Sequence, residues 1–222
     1  MRTAVLSDVH GNLAALEAVL ADATAEGFDE IVCLGDLAVL GAQPAECVDR
    51  LRGYRPRIRF VRGNTDRYLA EGRRDGETAW CAARLGPERI AFLGALPSEQ
   101  RIAATGALCV HASPRGDEER IEVDTPGDEL AAMLAGVTDR VLLHGHTHVQ
   151  YWAVHGDLLV GNPGSVGFPC DGEQTAAWAM AVDGDVNLRR TAYDVPAAIA
   201  AIAATDSPVR EQAITRLRTA RP

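Results

Sequence analysis

The chain is short of aromatic residues, which make up 5% of its 222 positions. Alanine and glycine dominate instead, so helices are expected to pack closely on sheets rather than around large rings. It also lacks any CxxC pair. Its five cysteines (Cys33, Cys47, Cys81, Cys109 and Cys170) are an odd number, a poor basis for a disulfide framework or a zinc knuckle. Cys33 and Cys109 stand inside apolar runs, where a thiol behaves as a small hydrophobe. Reduced thiols in a reducing compartment are expected. No segment approaches the ~18 consecutive apolar residues of a membrane span. The opening stretch, Met1 to Asp8, enters a strand-like run without the apolar core of a signal peptide. The expectation is a soluble, cytoplasmic protein with no membrane partner.

A basic face is missing too. The formal net charge is −9, whereas a protein that binds long nucleic acid normally neutralises phosphates with clustered Lys and Arg. A local stripe at Arg67, Arg73 and Arg74 could meet a small anion. Linkers, repeats and low-complexity tracts are also absent, so residues 1–222 read as one domain, long enough for a substantial core. A homo-oligomer is left open.

What is present is a strand and helix rhythm. Thr3 to Ser7, Glu30 to Leu34 and Ile58 to Val61 read as strands. Between them, Asn12 caps a helix carrying Leu13, Leu16, Val19 and Leu20 at helical spacing, and Pro44 opens a second helix to Leu51. This βαβαβ order implies a parallel sheet. Trp80 to Leu96 is expected to be helical in two pieces, broken near Gly86-Pro87. Leu108 to His111 and Val141 to Leu143 are further strands, with a helix over Glu129 to Leu134. The turns His155-Gly156-Asp157 and Asp183-Gly184-Asp185 lie between apolar runs and predict hairpins, so the second half is expected to contribute an antiparallel sheet. Closing helices are expected over Pro196 to Ala204 and Val209 to Arg218. The fold class is α/β (α+β): two packed mixed sheets with helices outside.

The residues that follow the strands carry the chemistry. The first strand ends in Asp8-Val9-His10-Gly11-Asn12, the second in Gly35-Asp36 and the third in Gly63-Asn64-Thr65-Asp66. The next two end in His111 and in His144-Gly145-His146-Thr147-His148. Loops at the carboxyl ends of parallel strands gather at one crevice. Carboxylate, imidazole and amide groups together suit Mn, Fe, Zn or a similar ion. Asp8 and His10, like His146 and His148, are two apart, so in extended backbone each pair points one way and can meet one metal or two neighbouring ones. Singly, each has an ordinary reading: an Asp after a strand is usually a cap, a His at a strand end is usually a satisfied core residue, and Gly-Asn favours a turn. Jointly they do not. Three of the six histidines occupy positions 144 to 148, two more sit at strand ends, and only His155 lies in a hairpin turn.

The ordered set Asp8-x-His10, Gly35-Asp36, Gly63-Asn64-x-Asp66, His111 and Gly145-His146-x-His148 resembles the calcineurin-like metallophosphoesterase superfamily. Asn162-Pro163-Gly164-Ser165-Val166 is similar to a further segment of its small bacterial and archaeal phosphodiesterase branch. The resemblance implies that Asp8, His10 and His148 hold one divalent transition metal, that Asn64, His111 and His146 hold a second, and that Asp36 bridges them. Mn is favoured, with Fe, Zn or Ni as alternatives. His144 fits no ligand position and is expected to stand behind the ligands. The implied activity is hydrolysis of a small phosphodiester or phosphoanhydride by a metal-bridging hydroxide, with no protein nucleophile.

Many members of that superfamily carry His between the Asn and the acidic residue, where it helps stabilise the transition state or protonates the departing oxygen. Here that position is Thr65, whose hydroxyl cannot serve as a general acid near neutral pH. Asp66, freed from orienting such a His, is expected to tie down its own loop. Leaving groups that depart as stable anions are therefore favoured. The alternatives are a phosphomonoesterase or protein phosphatase, and a non-catalytic scaffold of the kind the superfamily's retromer subunit provides.

Overall fold

The computed structural model describes residues 1–103 and 105–222. Among these, ten strands form two five-stranded mixed sheets, with seven helices around them. β1 (Arg2–Leu6), β2 (Glu30–Cys33) and β3 (Ile58–Phe60) run parallel, joined through α1 (Leu13–Glu26) and α2 (Pro44–Arg52). β1 is buried on both faces, which explains its unbroken apolar run. Ala4 and Leu6 pack beneath the helices, whereas Val5 faces the second sheet together with Val32, Leu143 and Ala179. Asn12 caps α1 by accepting the Ala15 N–H at 3.2 Å, so the loop after β1 turns directly into a helix. That helix buries Leu16, Val19 and Leu20. Truncating one of these leucines to alanine would cost ~2–5 kcal/mol.

The second sheet contains β4 (Glu99–Ile102), β5 (Ala107–Val110), β6 (Val141–Leu143), β7 (Tyr151–His155) and β8 (Leu158–Asn162), in the order β4-β5-β6-β8-β7. β5, β6 and β8 are parallel and both edges are antiparallel. The hairpins form where the turns predict them, but they do not make one antiparallel sheet. β9 (Ala176–Val182) and β10 (Asp185–Thr191) extend the first sheet, with β9 against β1 (Val5 opposite Ala179). The β7–β8 hairpin extends the second. Local periodicity encodes each hairpin, while its partner sheet is chosen by long-range burial: β9 is buried over six of its seven residues and needs cover on both faces.

Two elements escape the sequence reading. α3 (Asn64–Ala70) starts at Gly63-Asn64, where a turn is also plausible, and β4 is a polar edge strand with no apolar run. α4 (Gly76–Gly94) begins ahead of Trp80 but breaks at Gly86 (φ 71°) before Pro87, as expected. α5 (Gly127–Met133) covers the outer face of the second sheet. α6 (Val195–Ala203) and α7 (Arg210–Thr219) pack on Phe168. All five cysteines are unpaired, Cys170 alone being half-buried. No helix among the described residues is long and apolar enough to cross a membrane.

Candidate metal centre

The carboxyl ends of β1, β2, β3, β5 and β6 meet along the seam between the sheets, and backbone bonds tie their loops together. Asp8 and His10 donate N–H groups to Gly35 (3.1 Å) and Asp36 (2.9 Å), and Gly145 N–H reaches the His111 carbonyl at 2.7 Å. Asp8, His10, Asp36, His146 and His148 all have φ between 50° and 66°. That left-handed conformation is costly for a residue with a Cβ, and its concentration here is typical of a functional site. The extended backbone expected for the Asp8/His10 and His146/His148 pairs is therefore absent. Tight turns aim these side chains instead, and they send His146 and His148 to different clusters.

Asp8, His10 and His148 form one cluster of potential ligand atoms, and Asp36, His111 and His146 a second, each within 4.8 Å. In the first, His10 Nε2 lies 3.0 Å from His148 Nε2. Asp8 Oδ1 lies 3.3 Å from His148 Nε2 and 3.8 Å from His10 Nε2. In the second, His111 Nε2 is 3.0 Å from Asn64 Oδ1. Asp36 stands between them: Oδ2 is 3.6 Å from His10 Nε2, and Oδ1 is 3.6 Å from His111 Nε2.

The opposite ring nitrogens establish the tautomers. Nδ1 of His10, His148 and His111 lies 2.6, 2.6 and 2.7 Å from the carbonyls of Val39, Phe168 and Leu34. A carbonyl can only accept, so each Nδ1 carries the proton, and in the neutral ring Nε2 presents a bare lone pair to the cluster. Asp8 Oδ1 is buried without a hydrogen-bond partner, although Oδ2 accepts from Ser7 Oγ and the His146 N–H. Lone pairs converging in a buried space require a positive charge. One proton would satisfy a single pair of atoms, whereas a cation satisfies all three. Ligands ~2.1 Å from an ion lie about 3.0–3.4 Å apart in octahedral or tetrahedral sites, which matches the shorter spacings here.

Burial holds the His10 imidazolium unfavourable and lowers its pKa to about 4, keeping it a neutral ligand. His146 shifts down too, from burial and the neighbouring His111. Asp8 and His148 offset each other. Burial opposes the charge on each, but the Asp8 carboxylate pushes His148 up to about 10 and the His148 imidazolium holds the Asp8 carboxyl well below its usual range, so without a metal a proton on His148 takes the place of the cation.

Glycines make room for this approach. A Cβ on Gly63 would sit 2.0 Å from Asp36 Oδ1, and one on Gly145 would sit 2.0 Å from Ser7 Oγ and 2.5 Å from Asp8 Oδ2. Asp66 reaches beyond its own loop: its carboxylate accepts N–H groups from Asp36 (2.9 Å), Leu37 (3.2 Å) and Gly63 (3.0 Å). Thr65 donates its N–H to Asp36 Oδ1 at 3.0 Å, and its buried hydroxyl has no partner. His144 joins neither cluster. Its Nε2 bonds Tyr151 Oη at 2.7 Å, and burial depresses its pKa to about 4. His155 lies apart on the β7–β8 hairpin.

The chain matches the model of the calcineurin-like phosphoesterase superfamily domain over residues 1–185. It belongs to that superfamily. Phosphodiesterase YfcE of Escherichia coli is 26% identical over 84% of this chain and 89% of its own length. An uncharacterized Methanocaldococcus jannaschii protein, MJ0912, is 32% identical over 86% of this chain and 88% of its own. The crystal structure of a metallophosphoesterase from Sphaerobacter thermophilus covers 99% of both chains, with 29% identity and a TM-score of 0.87. The superfamily is one of metal-dependent phosphoesterases, and α6 and α7 of this chain lie beyond the matched region.

Residues that the sequence reading left unassigned support these loops. Ser165 Oγ donates to the Asp8 carbonyl at 2.7 Å, and Asn162 Nδ2 holds Gly145 O at 2.8 Å and Thr147 Oγ1 at 3.0 Å. Their segment was recognisable, but its task was not, because the contacts span 15 to 157 residues. Within the Arg67/Arg73/Arg74 stripe, Arg67 is held by Asp117, Glu118 and Glu71 and Arg73 by Asp75, whereas Arg74 bonds only the carbonyls of Leu69 and Arg73.

Proposed function

We propose that the protein is a cytoplasmic, binuclear metal-dependent phosphodiesterase acting on a small phosphodiester or phosphoanhydride. Asp8, His10 and His148 would hold one cation and Asn64, His111 and His146 the other, with Asp36 between the two groups. The carrying observation is the gathering of His10 Nε2, His148 Nε2 and the partnerless Asp8 Oδ1 in one buried cluster. Two bound cations, with Mn favoured, would neutralise the phosphate and acidify a water for in-line attack.

The chain's own groups do the positioning. Three Nδ1–H bonds to carbonyls stop the imidazoles from rotating. Asp66 clamps the Asp36 and Gly63 backbones, so the bridging carboxylate cannot drift from Asn64. Thr65 offers the leaving oxygen a hydrogen bond but no acidic proton, which favours leaving groups of low basicity. The five free thiols support a reducing compartment.

The test is metal analysis of chelator-free protein, followed by Mn-supported turnover of bis(p-nitrophenyl) phosphate and p-nitrophenyl phosphate. The expected result is faster cleavage of the diester. Two bound metals without turnover of either ester, or of a nucleoside diphosphate as a phosphoanhydride, would overturn the enzymatic reading in favour of a scaffold.

A further inference from the structure

Although α6 and α7 lie beyond the superfamily match, they reach the first cluster along two routes. Phe168 carries one. Its side chain is fully buried against Ala198 and Ile202 of α6 and Ala213, Ile214 and Leu217 of α7. Its ring stands edge-on to the His10 imidazole, 6.1 Å between centroids at 88°, and its carbonyl accepts the His148 Nδ1–H at 2.6 Å. A single residue thus steadies both histidines of that cluster. The other route ends on the peptide between Val39 and Leu40. Its carbonyl accepts the His10 Nδ1–H at 2.6 Å, and its N–H donates to Glu77 Oε1 at 3.3 Å. Leu40 has a φ of 104°, costly for a side chain of its size, so the aim of that carbonyl is imposed from outside the loop. Glu77, in the first turn of α4, in turn accepts a bond from Ser207 Oγ at 2.8 Å, in the connection between α6 and α7. The second cluster is supported differently. Among the described residues it takes no hydrogen bond from α6, α7 or their connection, and His111 Nδ1 is fixed by the Leu34 carbonyl after β2.

We propose that α6 and α7 set the affinity of the first cluster for its cation, acting through Phe168 and Glu77 as positioning residues, and leave the second cluster untouched. This rests on the binuclear reading above and adds that the two cations are held by separable parts of the chain. A metal-binding imidazole is aimed by the bond that its other nitrogen makes, and loss of such an outer partner typically weakens metal affinity ~10–100-fold. Here the partners are backbone carbonyls, which no substitution can delete, so their direction depends on what packs on Phe168 and what pins Leu40. Without Glu77, the Val39-Leu40 peptide is free to turn toward a less strained φ, taking its carbonyl away from His10. With a smaller side chain at position 168, the loop that presents the carbonyl to His148 loses its seat between the helices and His10. Either change misdirects an Nε2 lone pair of the first cluster, and neither touches Asn64, His111 or His146.

The experiment measures Mn affinity by calorimetry in two parent variants of the full chain. Asn64→Ala leaves the first cluster intact, and His148→Ala leaves the second. In the Asn64→Ala parent, Glu77→Ala and Phe168→Leu are each expected to raise Kd about tenfold or more. In the His148→Ala parent the same changes are expected to alter Kd by less than about twofold, a selectivity that general loosening of the fold would not produce. Glu77→Gln, which still offers Leu40 an acceptor oxygen, is expected to stay within about threefold of the Asn64→Ala parent. Equal weakening in both parents, or none in the first, overturns the proposal while the binuclear reading stands. A loss with Glu77→Gln as large as with Glu77→Ala would assign the effect to charge and overturn Glu77 as a positioning residue. If the unmodified protein binds no Mn, the binuclear reading itself falls, and this proposal with it. Should Phe168→Leu not fold, Glu77→Ala decides by the same comparison.

Discussion

Replacing Asp66 with alanine removes one acceptor group and strands three buried donors at once, the N–H groups of Asp36, Leu37 and Gly63, now bonded at 2.9, 3.2 and 3.0 Å. An unsatisfied buried N–H costs about 1–3 kcal/mol, so the gross loss is ~3–9 kcal/mol. Two effects reduce it. Burial and the nearby Asp36 charge push the Asp66 carboxyl up to about 7, so its removal relieves some repulsion, and water can enter the space vacated. A net loss of ~3–5 kcal/mol is expected, at the upper end for single substitutions. For a chain of this size that corresponds to a fall in Tm of roughly 6–20 °C. Asp66→Asn, which keeps one acceptor oxygen, should lose about half as much. The assay is thermal unfolding in EDTA, so that bound metal does not add its own stabilisation. A Tm for Asp66→Ala within ~2 °C of the unmodified protein would refute the clamp and leave Asp66 a mere helix-start residue.

Three further outcomes are expected. Elemental analysis at saturating Mn should find two metals per chain; Asp36→Asn should weaken both and nearly abolish activity, while His155→Ala, on its remote hairpin, should do neither. Gly145→Ala should prevent metal loading, because the new methyl would collide with Ser7 Oγ and Asp8 Oδ2; a loaded, active variant would show that the loop can yield. Rates on the unmodified enzyme should depend steeply on leaving-group pKa, and Thr65→His should recover part of the ~10²–10⁴-fold that a general acid contributes on poor leaving groups; a flat dependence would mean another group supplies the proton.

The sequence by itself determined the order of the parallel strands and where their loops would meet. Buried strands announce themselves as apolar runs, and the residues after them are those a carboxyl-end crevice must use. That Asp8, His10, Asp36, Asn64, His111, His146 and His148 would gather in one place was legible because polar metal-ligating types recur at each strand end. His144 was legible as an outsider, since no motif position was left for it. What the tertiary structure decided is everything carried by distant contacts. It separated His146 and His148, which the resemblance had already implied, through left-handed turns rather than an extended segment. It sent the two hairpins to different sheets. It made Asp66 a clamp on a loop 30 residues away and paired Arg67 and Arg73 of the basic stripe with carboxylates. Periodicity reports which face of an element is buried, but which groups satisfy one another's charges and hydrogen bonds is set only once the chain has closed on itself.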